Sequence, residues 1–248
     1  MNDIFDADAA AASLVDARQT GKPALPLSPS PATTRDAYAV QQAVMQRLGD
    51  PGGVWKMALL GGVDREASIL PQAALADSGA QLALPSHAMV EVETALILAK
   101  DPGPKPDLNS IADIRLAFEI VATRFAAAPS PLQAMADSFN SVAVILGGSV
   151  PHWQDGLPDR LGIALTLDGQ RIAATEAAAP LADVMDFLGW LSHHARAQGR
   201  PLKAGDVVIT GARIGPLPLA KARLASAVAM SASVELTVQG AEAELGTS

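Results

Sequence analysis

The stretch Ala88-Met-Val-Glu-Val-Glu-Thr-Ala-Leu-Ile-Leu-Ala-Lys100 predicts a long strand, because β-branched and aliphatic residues dominate it. Glu91 and Glu93 interrupt the apolar run, and side chains two residues apart on a strand point to the same face. Two neighbouring carboxylates repel each other and lose their hydration when they are buried. A divalent cation with oxygen ligands would offset both costs. The alternative is that this face is exposed to solvent, and an isolated pair of this kind favours that alternative.

The composition is that of a globular protein. Of the 248 residues, 49% are hydrophobic and 18% are charged, which allows a sizeable core. The net charge of −8 and the lack of a Lys/Arg run argue against nucleic acid and anionic membranes as partners. The absence of cysteine excludes disulfides, thiolate catalysis and cysteine-bound metals. The sequence shows neither a signal peptide nor a transmembrane stretch, and we expect a cytoplasmic protein.

Two amphipathic helices are expected at the start of the chain. The first is predicted over residues 3–19, with Asp3 as its N-cap. The second is capped by Thr33 or Thr34 and ends at Gly49. A linker rich in Pro and Ser joins them, which is typical of an N-terminal helical cap on a larger body.

Strands dominate after residue 50, and their spacing predicts a β-roll or sandwich with a few helices. Residues 1–50 would form the helical cap and residues 51–248 the main domain, or both parts would count as one domain. Residues 63–86 are expected to be a loop with at most a short helix. The predicted strands are 53–60, 88–100, 114–125, 141–147, 162–167, 171–174, 206–210 and 232–238, and a helix is predicted at 181–198.

Charged residues within apolar strands carry most of the chemical information. Lys56, Glu91, Glu93 and Glu119 each interrupt such a strand, and a buried acid rarely occurs unpaired. Three carboxylates would suit an octahedral Mg²⁺ or Mn²⁺ left open for a chelating substrate. Burial can lower the pKa of a lysine enough for proton transfer. Equally, Lys56 could simply form a salt bridge with one of the acids, and the spacing does not choose between these interpretations.

Six stretches, taken in order, resemble one family of enzymes. The six stretches are Arg35-Asp-Ala-Tyr-Ala-Val-Gln41, Val54-Trp-Lys-Met57, Val90-Glu-Val-Glu-Thr-Ala-Leu-Ile-Leu98, Phe118-Glu-Ile-Val-Ala-Thr-Arg-Phe125, Ala136-Asp-Ser-Phe-Asn-Ser141 followed by Ile145-Leu-Gly-Gly148, and Leu202-Lys-Ala-Gly-Asp-Val-Val-Ile-Thr-Gly211. The family that they resemble is the 2-keto-4-pentenoate hydratase / 4-oxalocrotonate decarboxylase group of the fumarylacetoacetase superfamily.

The resemblance implies the fold and the site of that family. The fold would be α+β, a mixed β-roll or sandwich of the fumarylacetoacetase C-terminal type with an N-terminal helical cap, assembled into homo-oligomers. Glu91, Glu93 and Glu119 would bind Mg²⁺ or Mn²⁺, and Lys56 would transfer protons. The residues expected near the substrate are Asp137, Ser141, Arg124, Thr210 and Gly211.

The chain departs from the family pattern in several places. Ala122 and Ala212 replace an aspartate and a serine of the family motifs. The loop after Lys56, which closes over the substrate in the family, is shorter here, and Asp64 or Glu66 would have to supply its acidic group.

The implied function is that of a divalent-metal-dependent lyase that adds water to a 2-hydroxydienoate or 2-oxoalkenoate through an enolate, as in the catabolism of aromatic rings. A decarboxylase of a 2-oxo-enedioate, of the 4-oxalocrotonate type, is the alternative, because the same site would serve both reactions. A third possibility is an acylpyruvate C–C hydrolase, which would need a His–Glu pair that only His87 could supply. The fourth is a non-catalytic oligomeric partner of another enzyme.

Overall fold

The computed structural model describes residues 5–60, 62–155, 160–177 and 179–240. These residues form two β-sheets and four α-helices. The helices are α1 (Ala7–Thr20), α2 (Thr34–Leu48), α3 (Pro131–Ala136) and α4 (Leu181–Ala197). The strands are β1 (Val54–Leu60), β2 (Asp64–Leu70), β3 (Leu75–Asp77), β4 (Ala80–Leu84), β5 (Met89–Leu98), β6 (Ile111–Val121), β7 (Ser141–Ser149), β8 (Arg160–Leu167), β9 (Gln170–Ala177), β10 (Val207–Ile209), β11 (Ile214–Pro218), β12 (Leu224–Ala229) and β13 (Ala232–Gly240).

Both sheets contain parallel and antiparallel pairs. The larger sheet has the order β2-β1-β10-β5-β6-β7-β3, with β11 also paired to β5. In it β1 runs parallel to β10 and β3 runs parallel to β7. The smaller sheet has the order β4-β13-β12-β8-β9, and β4 runs parallel to β13. The prediction of an α+β fold with a mixed β-roll or sandwich is therefore confirmed.

The two faces of the larger sheet have different environments, because side chains alternate along each strand. One face contributes Trp55 and Phe118 to the main hydrophobic core, together with Leu165 of the smaller sheet and Leu188 of α4. The opposite face has a smaller apolar cluster that includes Ala117. The face with less apolar packing is the one that carries the buried charges described below.

The N-terminal helices begin and end at capping residues. Thr33 accepts a hydrogen bond from the backbone of Asp36 in a capping box, and α2 ends at Gly49, whose φ of 63° is left-handed. These bounds agree with the predicted second helix. α1 has Asp6 as its N-cap and so begins later than predicted; the expected cap, Asp3, lies outside the described residues.

Side chains of helix α2 form hydrogen bonds with backbone N–H groups on the free edge of β2, one of the two outer strands of the larger sheet. The hydroxyl of Tyr38 accepts a hydrogen bond from the backbone N–H of Ala67 at 3.0 Å. The side-chain oxygen of Gln41 accepts one from the N–H of Ile69 at 3.3 Å, and its nitrogen donates to the carbonyl of Met135 at 2.7 Å. An open edge would otherwise leave unpaired N–H groups, so these side chains tie the helical region to the sheet.

The division into a cap of residues 1–50 and a main domain of residues 51–248 stays a prediction. No helix within the described ranges is long and apolar enough to cross a membrane.

Residues 63–86 are not the predicted loop, because they contain β2, β3 and β4. β3 and β4 are only three and five residues long, and each pairs in parallel with a strand far along the chain, namely β7 and β13. Such pairings leave no local periodicity to detect. The short strands β11 and β12, which pair antiparallel with β5 and with β8 and β13, were also missed.

We expect Tyr38→Phe to destabilise the protein, because Tyr38 also donates a hydrogen bond to the carboxylate of Glu66. Its removal would leave a buried N–H and a carboxylate without their partner, at a cost of about 1–3 kcal/mol in the free energy of unfolding. Urea denaturation measures this change. Glu66→Gln, which keeps an acceptor for the hydroxyl, is the control and should cost less. A Tyr38→Phe variant as stable as wild type would show that the edge does not need this hydroxyl.

Candidate active site

Three carboxylates meet on the less apolar face of the larger sheet. Glu91 of β5 lies directly opposite Glu119 of β6 in the antiparallel register, and Glu93 lies two residues further along β5 on the same face. One carboxylate oxygen from each of the three lies within 4.8 Å of the others. Glu93 and Glu119 are fully buried, while Glu91 is partly exposed. The structure therefore brings together the three glutamates singled out in the sequence.

Lys56 balances part of this negative charge. Its side chain is buried on β1, and Nζ donates hydrogen bonds to both carboxylate oxygens of Glu119 at 2.7 Å. Burial acts to lower the pKa of Lys56, but the charges of Glu119, Glu91 and Glu93 together raise it above its ordinary value. The direction is opposite to the lowered pKa expected from an apolar strand, because that expectation did not include three acids around the amine.

The remaining two carboxylates form no salt bridge among the described residues. Burial raises the pKa of Glu91 to about 7, and repulsion from Glu119 adds to the effect. Burial and the same repulsion raise the pKa of Glu93 well above its usual range. Glu93 accepts a hydrogen bond from the backbone N–H of Gly211 at 2.7 Å through Oε2, whereas its buried Oε1 has no partner among the described residues.

These features fit a divalent cation. Mg²⁺ and Mn²⁺ prefer carboxylate oxygens, and an octahedral ion with bonds of about 2.1 Å holds its ligands roughly 3–4 Å apart. The three carboxylates need little movement to reach that spacing. A cation would also give the orphaned Oε1 of Glu93 a partner and offset the repulsion among the acids. Glu91, Glu93 and Glu119 are thus the residues that could hold such an ion.

A second network joins three of the residues expected near the substrate. Asp137 is fully buried after α3 and accepts hydrogen bonds from Arg124 at 3.0 Å and from Arg18 at 3.2 Å. Arg124 also donates to the backbone carbonyl of Ser141 at 2.8 Å. Sequence reasoning missed Arg18, because an arginine in the last turn of an amphipathic helix has the pattern of an ordinary surface cation.

The backbone between Asp137 and Ser141 is strained. Ser138, Phe139 and Asn140 have φ values of 53°, 53° and 61°, a left-handed conformation that side chains other than glycine disfavour. The hydroxyl of Ser138 donates to the carbonyl of Ile69 at 3.1 Å and helps hold this turn. Strain of this kind, of order 1–3 kcal/mol per residue, occurs often at functional sites.

Two buried hydroxyls on this side of the sheet, Ser141 Oγ and Ser68 Oγ, have no hydrogen-bond partner among the described residues. Ser68 is 1% exposed and lies directly opposite Lys56 in the register of β1 and β2, so both side chains lie on the same face. Sequence reasoning missed Ser68, because β2 was expected to be a loop.

The other expected positions lie at varying distances from the cluster. Gly211 contacts Glu93 directly, whereas the hydroxyl of Thr210 donates to the carbonyl of Thr94 at 2.9 Å. Arg213, which the sequence did not single out, donates to Thr210 Oγ1 at 3.1 Å. The neighbouring β10–β5 pairing explains why this loop lies beside the acids.

The acids considered for the shortened loop lie on β2. Asp64 is exposed at the start of this strand, whereas Glu66 binds Tyr38 and lies two residues before Ser68, on the face that Ser68 and Lys56 share. His87 is exposed, and its Nε2 lies 3.1 Å from the carbonyl oxygen of Thr123. No His–Glu pair of the kind that a hydrolase would need is formed by His87 among the described residues.

Comparisons with known proteins agree with this architecture. Residues 64–245 match the profile of the fumarylacetoacetate (FAA) hydrolase C-terminal family. A 2-keto-4-pentenoate hydratase of Paraburkholderia xenovorans (strain LB400) is 28% identical over 234 residues, which cover 86% of each chain. The solved structure of 4-oxalocrotonate decarboxylase from Pseudomonas putida G7, complexed with magnesium and adipate, has a TM-score of 0.80 at 17% identity and covers 96% of this chain and 100% of that chain. Fumarylpyruvate hydrolase from Pseudomonas aeruginosa, in complex with Mn²⁺ and pyruvate, has a TM-score of 0.52 at 15% identity and covers 76% and 89% of the two chains.

In EDTA we expect the thermal stability to fall as the pH rises from 5 to 8. The folded-state pKa of Glu91 is raised from 4.5 to about 7, so its stabilising contribution is complete below about 4.5 and is lost as the pH rises through about 7. Mg²⁺ or Mn²⁺ should restore stability at pH 8, as measured by differential scanning fluorimetry. Glu91→Gln should flatten the pH dependence, and Glu235→Gln, on the surface, should not. A wild-type melting temperature that changes neither with pH nor on addition of metal would contradict this electrostatic account.

We expect Asp137→Asn to be severely destabilising, because two nearly buried guanidinium groups would lose the carboxylate that they share. The expected loss is about 3–5 kcal/mol in the free energy of unfolding by urea. Asp186→Asn is the matched control, because Asp186 pairs with Arg65 on the surface and should cost about 1 kcal/mol or less. Equal losses for the two variants would show that the Asp137 network adds no more stability than a surface ion pair.

Proposed function

Since the chain belongs to the fumarylacetoacetate hydrolase family, we propose that it is a divalent-metal-dependent lyase that adds water to a 2-hydroxydienoate or 2-oxoalkenoate. The observation that carries this proposal is the buried cluster of Glu91, Glu93 and Glu119 with Lys56 paired to it. The 28% identity to a 2-keto-4-pentenoate hydratase over most of both chains supports the reaction class.

The three glutamates are proposed to hold Mg²⁺ or Mn²⁺. Their oxygens, their burial and the orphaned Oε1 of Glu93 support this assignment. When bound, the cation would supply positive charge that stabilises an enolate developing on a chelating 2-oxo acid.

Lys56 is the proposed proton carrier. Its pKa is raised only because the acids around it are charged. Once those charges are neutralised, burial is the main remaining effect on its amine, and burial lowers the pKa of a lysine towards the range useful for proton transfer at neutral pH. The two hydrogen bonds from Nζ to the carboxylate oxygens of Glu119 fix the position of Nζ before substrate binds.

The network of Arg124, Asp137 and Ser141 is proposed to bind and orient the substrate. Asp137 already accepts from two arginines, so we assign it to positioning Arg124 rather than to proton transfer. The hydroxyl of Ser141, which has no protein partner among the described residues, is free to bind the substrate, and Gly211 fixes Glu93. Thr210, held by Thr94, is proposed to keep this loop beside the site.

A decarboxylase of a 2-oxo-enedioate is the second candidate. Its support is the shared fold with 4-oxalocrotonate decarboxylase over 96% of this chain. Both reactions pass through an enolate, so the loops around the site choose between them. We also propose that the protein forms homo-oligomers, which sedimentation analysis would test.

Direct assays with Mg²⁺ or Mn²⁺ distinguish the two reactions. The protein is incubated with 2-hydroxypenta-2,4-dienoate and with 4-oxalocrotonate while dienol absorbance and CO₂ are followed. We expect loss of the dienol absorbance without CO₂, and no reaction in EDTA. Release of CO₂ from 4-oxalocrotonate alone would favour the decarboxylase, and inertness towards both would contradict the lyase proposal.

We expect Lys56→Met to lower kcat by about 10²–10⁴-fold, the range attributed to general acid–base catalysis. Binding of Mg²⁺, measured by calorimetry, should persist in this variant because the three carboxylates remain. Lys105→Met, which changes an exposed lysine, is the control and should keep full activity. If Lys56→Met has the kcat of the wild type, Lys56 is not the proton carrier.

A further inference from the structure

The turn that joins β10 to β11, residues 210–213, lies beside Glu93 of β5. β10 pairs with β5 before this turn, and β11 pairs with β5 after it. The backbone N–H of Thr210 donates to the carbonyl of the residue after Glu93 at 3.1 Å, and that of Arg213 donates to the carbonyl of the residue before it at 2.8 Å. The turn is therefore tied to β5 on both sides of Glu93, to which the N–H of Gly211 donates.

The conformation of Gly211 depends on the rest of this turn. Its φ of 96° lies in the left-handed region that glycine adopts freely. A Cβ at this position would meet no heavy atom within 4 Å beyond the adjacent residues, so packing does not hold Gly211 in place. Because glycine has many accessible conformations, the direction of its N–H must be fixed by other bonds within the turn.

The guanidinium of Arg213 supplies these bonds. Its Nη1 donates to the carbonyl oxygens of Gly211 and of Thr210, the latter at 3.3 Å. Its Nη2 donates to the hydroxyls of Thr210 at 3.1 Å and of Thr94 at 3.2 Å. The two hydroxyl oxygens lie 2.8 Å apart, and Thr210 Oγ1 also donates to the carbonyl of Thr94 at 2.9 Å. One planar group therefore connects both carbonyls at the start of the turn to β5.

The placement of Arg213 has a cost that these bonds offset. The side chain is partly buried, and burial lowers the pKa of its guanidinium, whereas the charge of Glu93 acts to raise it. Its Nε is buried and has no hydrogen-bond partner among the described residues. The hydrogen bonds that the guanidinium donates to described residues all go to the turn and to Thr94. Holding the turn is therefore the role that its contacts support.

The bond from Gly211 restricts how Glu93 can bind a cation. It holds Oε2 at 2.7 Å and leaves the buried Oε1 without a partner among the described residues. Binding through both oxygens requires Oε2 to turn towards the ion, and the N–H of Gly211 opposes that rotation. Mg²⁺ needs an octahedron of about six oxygens, whereas Ca²⁺ takes about six to eight and accepts carboxylates that bind through both oxygens. A Glu93 that offers one oxygen therefore favours Mg²⁺ over Ca²⁺.

We propose that Arg213 is a positioning residue for Glu93. By fixing the turn it aims the N–H of Gly211 at Oε2, and it thereby limits Glu93 to one oxygen and selects Mg²⁺ over Ca²⁺. The claim about the ion rests on the proposed function of the three glutamates, whereas the claim about the N–H of Gly211 does not.

Hydrogen exchange in EDTA, followed by NMR, tests the hold on Gly211 without any metal. We expect the Gly211 amide to exchange about tenfold faster in Arg213→Met than in the wild type, because the N–H leaves Glu93 more often when the turn loosens. The amide of Ala67, bound by Tyr38 on β2, is the internal control, since a loss of global stability would accelerate both amides alike. Equal acceleration of the two amides, or none at Gly211, would overturn the role of Arg213.

Calorimetry with Mg²⁺ and with Ca²⁺ tests the selection of the ion. In Arg213→Met we expect the affinity for Mg²⁺ to fall about 10–100-fold, as for other groups that hold a metal ligand in place. The affinity for Ca²⁺ should fall less, because a freed Glu93 can offer both oxygens, so the ratio of the two affinities should drop at least about fivefold. Arg196→Met, which removes an arginine paired with Asp101 on the surface, is the matched control and should keep the wild-type ratio.

The variant Arg213→Lys separates the shape of the group from its charge. Lysine keeps a positive charge near Glu93, but it cannot hold two carbonyls and two hydroxyls with a planar fork. We expect the ratio to fall in this variant as well, and this result decides the question if Arg213→Met does not fold. A wild-type ratio in Arg213→Lys would show that only the charge matters and would overturn the positioning role.

The outcomes separate this proposal from the proposed function. An equal loss of affinity for both ions in Arg213→Met would show a purely structural role and overturn the selection of the ion. No binding of either ion by the wild type would contradict the metal site of the three glutamates and, with it, the claim about the ion. In that case the exchange rate of the Gly211 amide still supports or overturns the hold of Arg213 on the turn.

Discussion

Repulsion among three buried carboxylates, only one of them paired with a lysine, is the constraint on which the rest of this structure depends. Glu119 has Lys56, but Glu91 and Glu93 have no cation of their own. A fold that holds such a cluster must tolerate the repulsion among these acids or keep some of them protonated. Burial and repulsion from Glu119 raise the pKa values of Glu91 and Glu93, so that these acids ionise less readily than free glutamate.

The larger sheet keeps its buried charged groups on the face opposite the main hydrophobic core. Its one face packs with the smaller sheet and α4 into the main core, and its other face holds the charges. Tyr38 and Gln41 satisfy the outer edge of β2, on which Ser68 lies opposite Lys56. The strained turn around Phe139 and the buried hydroxyls of Ser68 and Ser141 lie on elements that border this second face.

Charge is also sorted along the strands. Acids gather in the middle of β5 and β6, and arginines gather where those strands end, although the whole chain is acidic. Arg124 lines a cationic pocket at that end of the strands and also binds the carboxylate of Asp137 and the backbone carbonyl of Ser141.

The sequence by itself determined what depends on neighbouring residues. The β-branched and aliphatic residues of 88–100 predicted a strand that places Glu91 and Glu93 on one face, and Thr33 or Thr34 marked the start of α2. Only the tertiary structure decided which distant groups meet: Lys56 pairs with an acid 63 positions away, and Arg18 reaches Asp137 across 119 positions. It also decided that residues 63–86 form strands and that the pKa of Lys56 rises. The reason is physical: side-chain alternation and capping act within a few residues, whereas strand pairing, burial and Coulomb interactions depend on distance in space.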